Sequence, residues 1–450
     1  MTKTILSAKW VLPITDPALK NAGVVVEDDK IVELGSTEEL AKKYPDAVLE
    51  DFGRAIILPG FVDLHTHLEF SAMRGLCEDL EYTGWKLQLT KKIKPLVFDD
   101  WLVSARLGAI EAAQSGITTI TDMTSTGASL KAAKEIGLRG FMLYELSGMN
   151  PNLIKSVVDK AKQTVSNWQE ETDGSLLQIG LAPHSTYSVN PRLIKEVGDW
   201  ARKDKLKISI HLSGSKDEYD FVKYGSSRLA GAYRDLMGWG DHLWQPTGAS
   251  PVRYLLQWGL FDNDVLGVHC VYVDDDDMSA LKDNDVAIAH CPRCSAKLAM
   301  GIAPLRKYLS LGLRVGLGTD SPASNNTMDF FDEMRIGLLL QRAANHSVTE
   351  NESESFIKLA TYGGAQALGI EKDIGSLVPG KQADITVVDM SHSHQRPLTD
   401  PYSALVHTAN QEDIMLTMVA GKIIYSDQTT IGPDTEETLQ KIESVRAKLR

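Results

Sequence analysis

Residues 58–70 read LPGFVDLHTHLEF, an apolar run that closes on two histidines one residue apart. Side chains two apart on a strand share a face, so His65 and His67 can enter one coordination sphere. Three further apolar runs lead to the same kind of residue: LKISIHLS (206–213) to His211, DVLGVHC (264–270) to His269, and LRVGLGTDSPASNN (313–326) to Asp320. A lone histidine on a strand is more often a hydrogen-bonded core residue than a ligand. Four histidines and an aspartate that each follow a β-like run reverse that reading. They could converge on one divalent metal.

Working outward, eight β-like runs lie between about residues 56 and 320: IILPGFVDLHTH, GITTITDM, LRGFMLYEL, LLQIGLAPH, LKISIHLS, DVLGVHC, VAIAHCP and RVGLGTD. Most are apolar on both faces, as buried parallel strands are, and the stretches between them are long enough for crossover helices. One such stretch, WLVSARLGAIEAAQSG (101–116), is amphipathic and closes on Gly116. Eight alternations predict an α/β fold, a (β/α)₈ TIM-type barrel with its chemistry at the C-terminal strand ends, where all the candidate ligands lie.

The flanks differ. TILSAKWVLP (4–13), AGVVVEDDKIVELG (22–35), GSLVPGKQADITVVDM (375–390) and DIMLTMVAGKIIYSD (413–427) are short, strand-like and poor in helical periodicity. Neither flank can bury a core alone, so both chain ends are expected to share one small β-sandwich domain. The predicted division is 1–58 and 374–450 for that domain, with 59–373 as the barrel. The tail TEETLQKIESVRAKLR (435–450) reads as a helix with Glu early and Lys/Arg late, which suits the macrodipole.

Composition narrows the function classes. A chain of 450 residues, 43% hydrophobic and 24% charged, can bury a large core. It has no run of 18 apolar residues, and its N-terminus has no small-residue cleavage site, so a cytoplasmic location without membrane contact is expected. The net charge of −13 opposes nucleic-acid binding but not binding of a small nucleoside. Four cysteines are too few for a disulfide scaffold. The CxxC of Cys291 and Cys294 lacks the second pair a zinc knuckle needs, so both are read as reduced packing residues.

PGFVDLHTH, the single histidines closing the fifth and sixth runs, HCPR, GTDSPASNN and LVPGKQADITVVD together resemble the metal-dependent amidohydrolase superfamily over nearly the whole chain. HTHLEFSAMRGL (65–76), LAPHSTYSV (181–189), the stretch 290–326 and GGAQALG (363–369) resemble the deaminases of adenine nucleosides and related aminated heterocycles. The HTHLEFS form is most similar to aminodeoxyfutalosine deaminases of menaquinone biosynthesis. The resemblance implies one Zn²⁺ or Fe²⁺ per chain, held by His65, His67, His211 and Asp320, with His269 beside the metal-bound water. Asp320 would shuttle the proton, and His184 and Tyr187 would contact a small nucleoside substrate. Arg293 could orient substrate or bridge loop carbonyls, and Glu69 could touch substrate hydroxyls or brace the metal histidines.

One departure stands out. The family carries His, two residues, then an acid Glu that protonates the ring nitrogen, whereas this chain has HLSGS, with Gly214 at that place. General acids contribute about 10² to 10⁴ in rate, so the loss predicts an impaired enzyme unless another acid serves. Glu218, one helical turn on, is the nearest substitute. An engineered change, a natural variant and a non-catalytic metal-binding homologue are the competing explanations. Alternative activities are deamination of methylthioadenosine or S-adenosylhomocysteine, and triazine-type hydrolysis. The insertion at 227–255, with two tryptophans and several arginines, could cover the pocket, pack a helix or make a homo-oligomer contact. Within it, Arg228 and Arg234 are candidates for binding a substrate carboxylate.

Overall fold

In a computed structural model, which describes residues 3–242 and 244–449, the eight runs become eight parallel strands. They are β1 (Phe61–Thr66), β2 (Ile117–Thr124), β3 (Arg139–Leu146), β4 (Leu177–Pro183), β5 (Ile208–Leu212), β6 (Val265–His269), β7 (Ala287–His290) and β8 (Val315–Leu317). Each pairs with its sequence neighbour, and every residue of β1, β2, β5, β6, β7 and β8 is buried, as expected for strands covered on both faces. The barrel closes just beyond the short β8, where the Asp320 amide donates to the His65 carbonyl at 2.7 Å. Gly318 permits that closure, because a Cβ there would stand 3.0 Å from the His65 backbone nitrogen.

Helices fill the crossovers. Helix α1 (Tyr82–Lys92) follows β1 and lies over the C-terminal end of the barrel, while α2 (Phe98–Gln114) runs back along the outside. Ala105, Ala109, Ala112 and Ala113 are buried on α2, and their small size lets the helix approach the strands closely. The chain then turns at Gly116, whose φ of +77° a larger residue would resist.

Both chain ends enter one mixed sheet of nine strands. Ile385–Asp389 pairs antiparallel with Ala55–Pro59, which joins the C-terminal flank to the N-terminal one directly before β1. Leu6, Val24, Ile57, Val387 and Leu416 form part of its core. The terminal helix α3 (Thr435–Lys448) docks on the barrel, with Lys448 Nζ 2.7 Å from Asp100 Oδ1 on α2. Among the described residues no helix is long and apolar enough to cross a membrane.

Candidate metal centre

The ends of β1, β5, β6 and β8 bring five side chains to one point on the barrel axis. The rings of His65 and His67 have centroids 4.8 Å apart, and His211 stands 4.9 Å from His65 and 5.5 Å from His67. Asp320 Oδ1 is 3.4 Å from His65 Nε2 and 3.8 Å from His67 Nε2. Donor atoms about 2.0–2.2 Å from a shared ion lie at roughly such separations. His269 completes the ring of groups, 5.7 Å from His211 and 5.8 Å from His65 between centroids. His269 and Asp320 have φ of +74° and +61°, so two strand ends turn through the left-handed region at the site. Strain of this kind gathers where the surrounding structure holds a functional geometry.

Hydrogen bonding fixes which atoms face the centre. His67 Nδ1 donates to the Met123 carbonyl at 3.0 Å and His211 Nδ1 to the His184 carbonyl at 2.7 Å, leaving each Nε2 free to ligate. Neither ring nitrogen of buried His65 makes a hydrogen bond, an expensive arrangement unless a ligand satisfies it. Burial, with His65 adding to it, drives His67 down to about 3; burial drives His211 well below the usual range and His269 to about 4. All three are therefore neutral, as ligands or bases must be. Burial pushes Asp320 up, but the imidazoles of His65, His269 and His67 outweigh it and hold the carboxylate well below its usual range.

Around this centre the sequence-predicted residues take distinct places. His184 lines the cavity with His67, His211, His269 and Asp320. Tyr187 is buried behind it, its hydroxyl 2.6 Å from that of Tyr82. Glu69 is buried and accepts from the Thr124 and Thr126 hydroxyls at 2.8 and 2.7 Å and from the Ser125 amide at 3.1 Å, so it braces the end of β2. Arg293 bridges to a loop carbonyl, that of Asn325, at 3.0 Å. Neither Arg228 nor Arg234, the candidates for binding a substrate carboxylate, lines the cavity. Arg228 pairs with Glu81 at the surface, outside the insertion, and Arg234 donates to the Trp239 carbonyl at 3.0 Å within it. Its tryptophans pack on Tyr233, Phe221 and Tyr254.

Gly214 lies against the site, where a Cβ would meet the His269 ring at 3.0 Å and Met300 Cε at 3.1 Å. Glu218 is buried and committed: its oxygens accept from the Thr186 hydroxyl at 2.6 Å and the Gly214 amide at 2.9 Å. It does not line the cavity. Sequence reading missed, among the lining residues, a lysine and a carboxylate, Lys86 on α1 and Glu145 on β3, together with the aromatic side chains of Phe70, Tyr82 and Trp85. It also missed Asp63, which accepts from the Thr319 hydroxyl at 2.6 Å and from the His65 amide at 3.1 Å, tying β1 to the segment after β8.

The amidohydrolase family matches residues 56–424, and a bacterial imidazolonepropionase-like composite domain matches residues 22–47. The chain belongs to the amidohydrolase family. A 5-methylthioadenosine/S-adenosylhomocysteine deaminase of Thermococcus onnurineus is 34% identical over 410 residues, covering 90% of each chain. Among solved structures, an adenosine deaminase from Xanthomonas campestris with bound zinc superposes with a TM-score of 0.87 at 24% identity, over 100% of this chain and 99% of the other. A Helicobacter pylori aminofutalosine deaminase, in complex with methylthio-coformycin, gives 0.79 at 22% identity over 94% of this chain and 100% of the other. At these identities the two structures establish the fold alone. The protein is a metal-dependent hydrolase acting on carbon–nitrogen bonds, and its histidine cluster suits one divalent ion.

Proposed function

We propose that this amidohydrolase deaminates an adenine nucleoside modified at the 5′ position, with zinc held by His65, His67, His211 and Asp320. The observation that carries the reading is the cluster itself. Two histidines have their tautomers fixed by backbone carbonyls, a third has both nitrogens unpartnered, and a carboxylate lies 3.4 Å away. A divalent ion at such a site lowers the pKa of water toward about 7 and makes a nucleophile available at neutral pH.

The chain's own groups do the rest. Asp320 Oδ takes the proton from the attacking water and passes it to the departing amine. His269, neutral and beside Asp320, orients that water. His184 and the aromatic wall of Phe70, Tyr82 and Trp85 flank the place of a planar ring. The relative from Thermococcus supports a 5′-thioether nucleoside, methylthioadenosine or S-adenosylhomocysteine. A second reading, aminodeoxyfutalosine in menaquinone biosynthesis, has the HTHLEFS segment in its favour. Four free cysteines, all buried, suit a cytoplasmic location.

Ammonia release by zinc-loaded protein from adenosine, methylthioadenosine, S-adenosylhomocysteine and aminodeoxyfutalosine tests this, with ammonia release from an aminated triazine and chloride release from a chlorinated one as controls. Turnover of at least one of the 5′-modified nucleosides above the triazine is expected. Turnover of the triazine alone would overturn the reading.

A further inference from the structure

Among the residues lining the metal-side cavity, Lys86 is the only lysine or arginine, and Glu145 is the only carboxylate besides Asp320. Lys86 reaches in from α1 and places Nζ 3.0 Å from His184 Nε2. The direction of that bond follows from the next one. His184 Nδ1 lies 2.7 Å from the Ser188 hydroxyl, which donates its own proton to the Ser185 carbonyl at 3.3 Å. Nδ1 therefore carries the imidazole proton, and Nε2 is the acceptor for the ammonium. Among the described residues His184 is the hydrogen-bond partner of Lys86, so two of its three N–H bonds are available to a ligand. The His184 ring is 5.0 Å from that of His211, which puts Lys86 at the reacting end of the cavity.

We propose that Lys86 donates the proton to the ring nitrogen of the bound heterocycle, the task Gly214 cannot perform; this rests on the deaminase reading above. As a water oxygen bonds to the adjacent ring carbon, an ammonium proton passes to the ring nitrogen, and Asp320 takes the water's proton. Asp320 then gives that proton to the exocyclic amine, the carbon–nitrogen bond breaks and ammonia leaves. The new hydroxyl becomes a carbonyl and returns its proton to the Lys86 amine. One water is consumed, one ammonia is released and nothing is oxidised.

Glu218 cannot take this role, since both its oxygens are held by Thr186 and Gly214 outside the cavity. Burial lowers the Lys86 pKa from its usual value, while Glu145 from β3 and Asp320 from beyond β8 oppose that loss. His184 and His67 face it as neutral rings. An ammonium made more acidic is suited to proton donation.

The test compares zinc-loaded parent, Lys86→Met, Lys86→Gln and Lys86→Met/Gly214→Glu for metal content, nucleoside binding by calorimetry, kcat and its pH profile. Both single variants should keep their metal and bind nucleoside within about threefold, while kcat falls by about 10² or more. Adding Gly214→Glu should recover at least about tenfold and move the loss of activity from the alkaline limb to lower pH, where a carboxylic acid ionises. A parent that turns over while both single variants stay within threefold of its kcat overturns the assignment and leaves the deaminase reading intact. So does a loss confined to binding, which a lysine that merely ties α1 down would give. A parent that releases no ammonia overturns the deaminase reading and this inference together.

Discussion

Thr83→Val should speed nucleoside entry by about tenfold. The cavity beside the metal centre holds about 60 Å³ as the chain stands. Pockets for small molecules occupy about 300–1,000 Å³, so a nucleoside enters only if the cover moves. The cover is α1, which contributes Tyr82, Trp85, Lys86, Leu89 and Thr90 to the wall. Four hydrogen bonds to three barrel connections hold it: Tyr82 to Tyr187 at 2.6 Å, Thr83 to Asp217 at 2.5 Å, Trp85 to the Ala323 carbonyl at 2.9 Å, and Lys86 to His184 at 3.0 Å. Thr83 is the one of these four that does not line the cavity, so changing it leaves ligand contacts untouched. Valine keeps the volume and removes the hydroxyl, and the half-buried Asp217 can rehydrate. A hydrogen bond to a charged group is worth about 1.5–3 kcal/mol, and the lower figure multiplies the open fraction by about ten. Stopped-flow binding of methylthioadenosine, followed by the fluorescence of Trp85 on the cover, reads this as an association rate. A rate within twofold of the parent, with the fold intact, would refute α1 as the gate.

Three further outcomes follow from the site and its braces. Asp320→Asn preserves the left-handed backbone, which Asn tolerates, and the acceptor for the Ser321 amide at 2.7 Å; it should retain nucleoside affinity while turnover falls at least about a hundredfold. Burial raises Glu218 from 4.5 to about 7, so its contribution to stability is full below about pH 4.5 and is lost as pH rises through 7. Urea unfolding should therefore show Glu218→Gln gaining roughly 3 kcal/mol on the parent between pH 4.5 and 8, and a flat difference would contradict the buried placement. Glu69→Ala strips the acceptor from Thr124, Ser125 and Thr126, and thermal unfolding should record a loss of roughly 3 kcal/mol or more.

What could be read from the sequence divides along a physical line. All eight barrel strands were legible because each is a buried run with a turn after it, and the clustered histidines were legible because each ends such a run. His65 and His67 needed only the two-residue repeat of a strand. Lys86 was not legible: YTGWKLQLTKK carries other lysines, and nothing in its periodicity says which one turns inward when a helix caps a barrel mouth. Glu145 was hidden in the same way at the end of LRGFMLYEL, where a single polar residue after an apolar strand reads as an edge. The partners of Arg228 and Arg234, Glu81 and the Trp239 carbonyl, were not legible, because they depend on tertiary packing rather than on spacing. The departure at Gly214 was visible, but the packing of that position against His269 and Met300 was not.

The most direct test of the metal-dependent account is elemental analysis of protein purified without added metal, then loaded with zinc and freed of excess. About one tightly held zinc per chain is predicted, removed by chelation and absent from a His67→Ala/His211→Ala variant that still folds. A content near zero after loading, or one unchanged in that double variant, would contradict it.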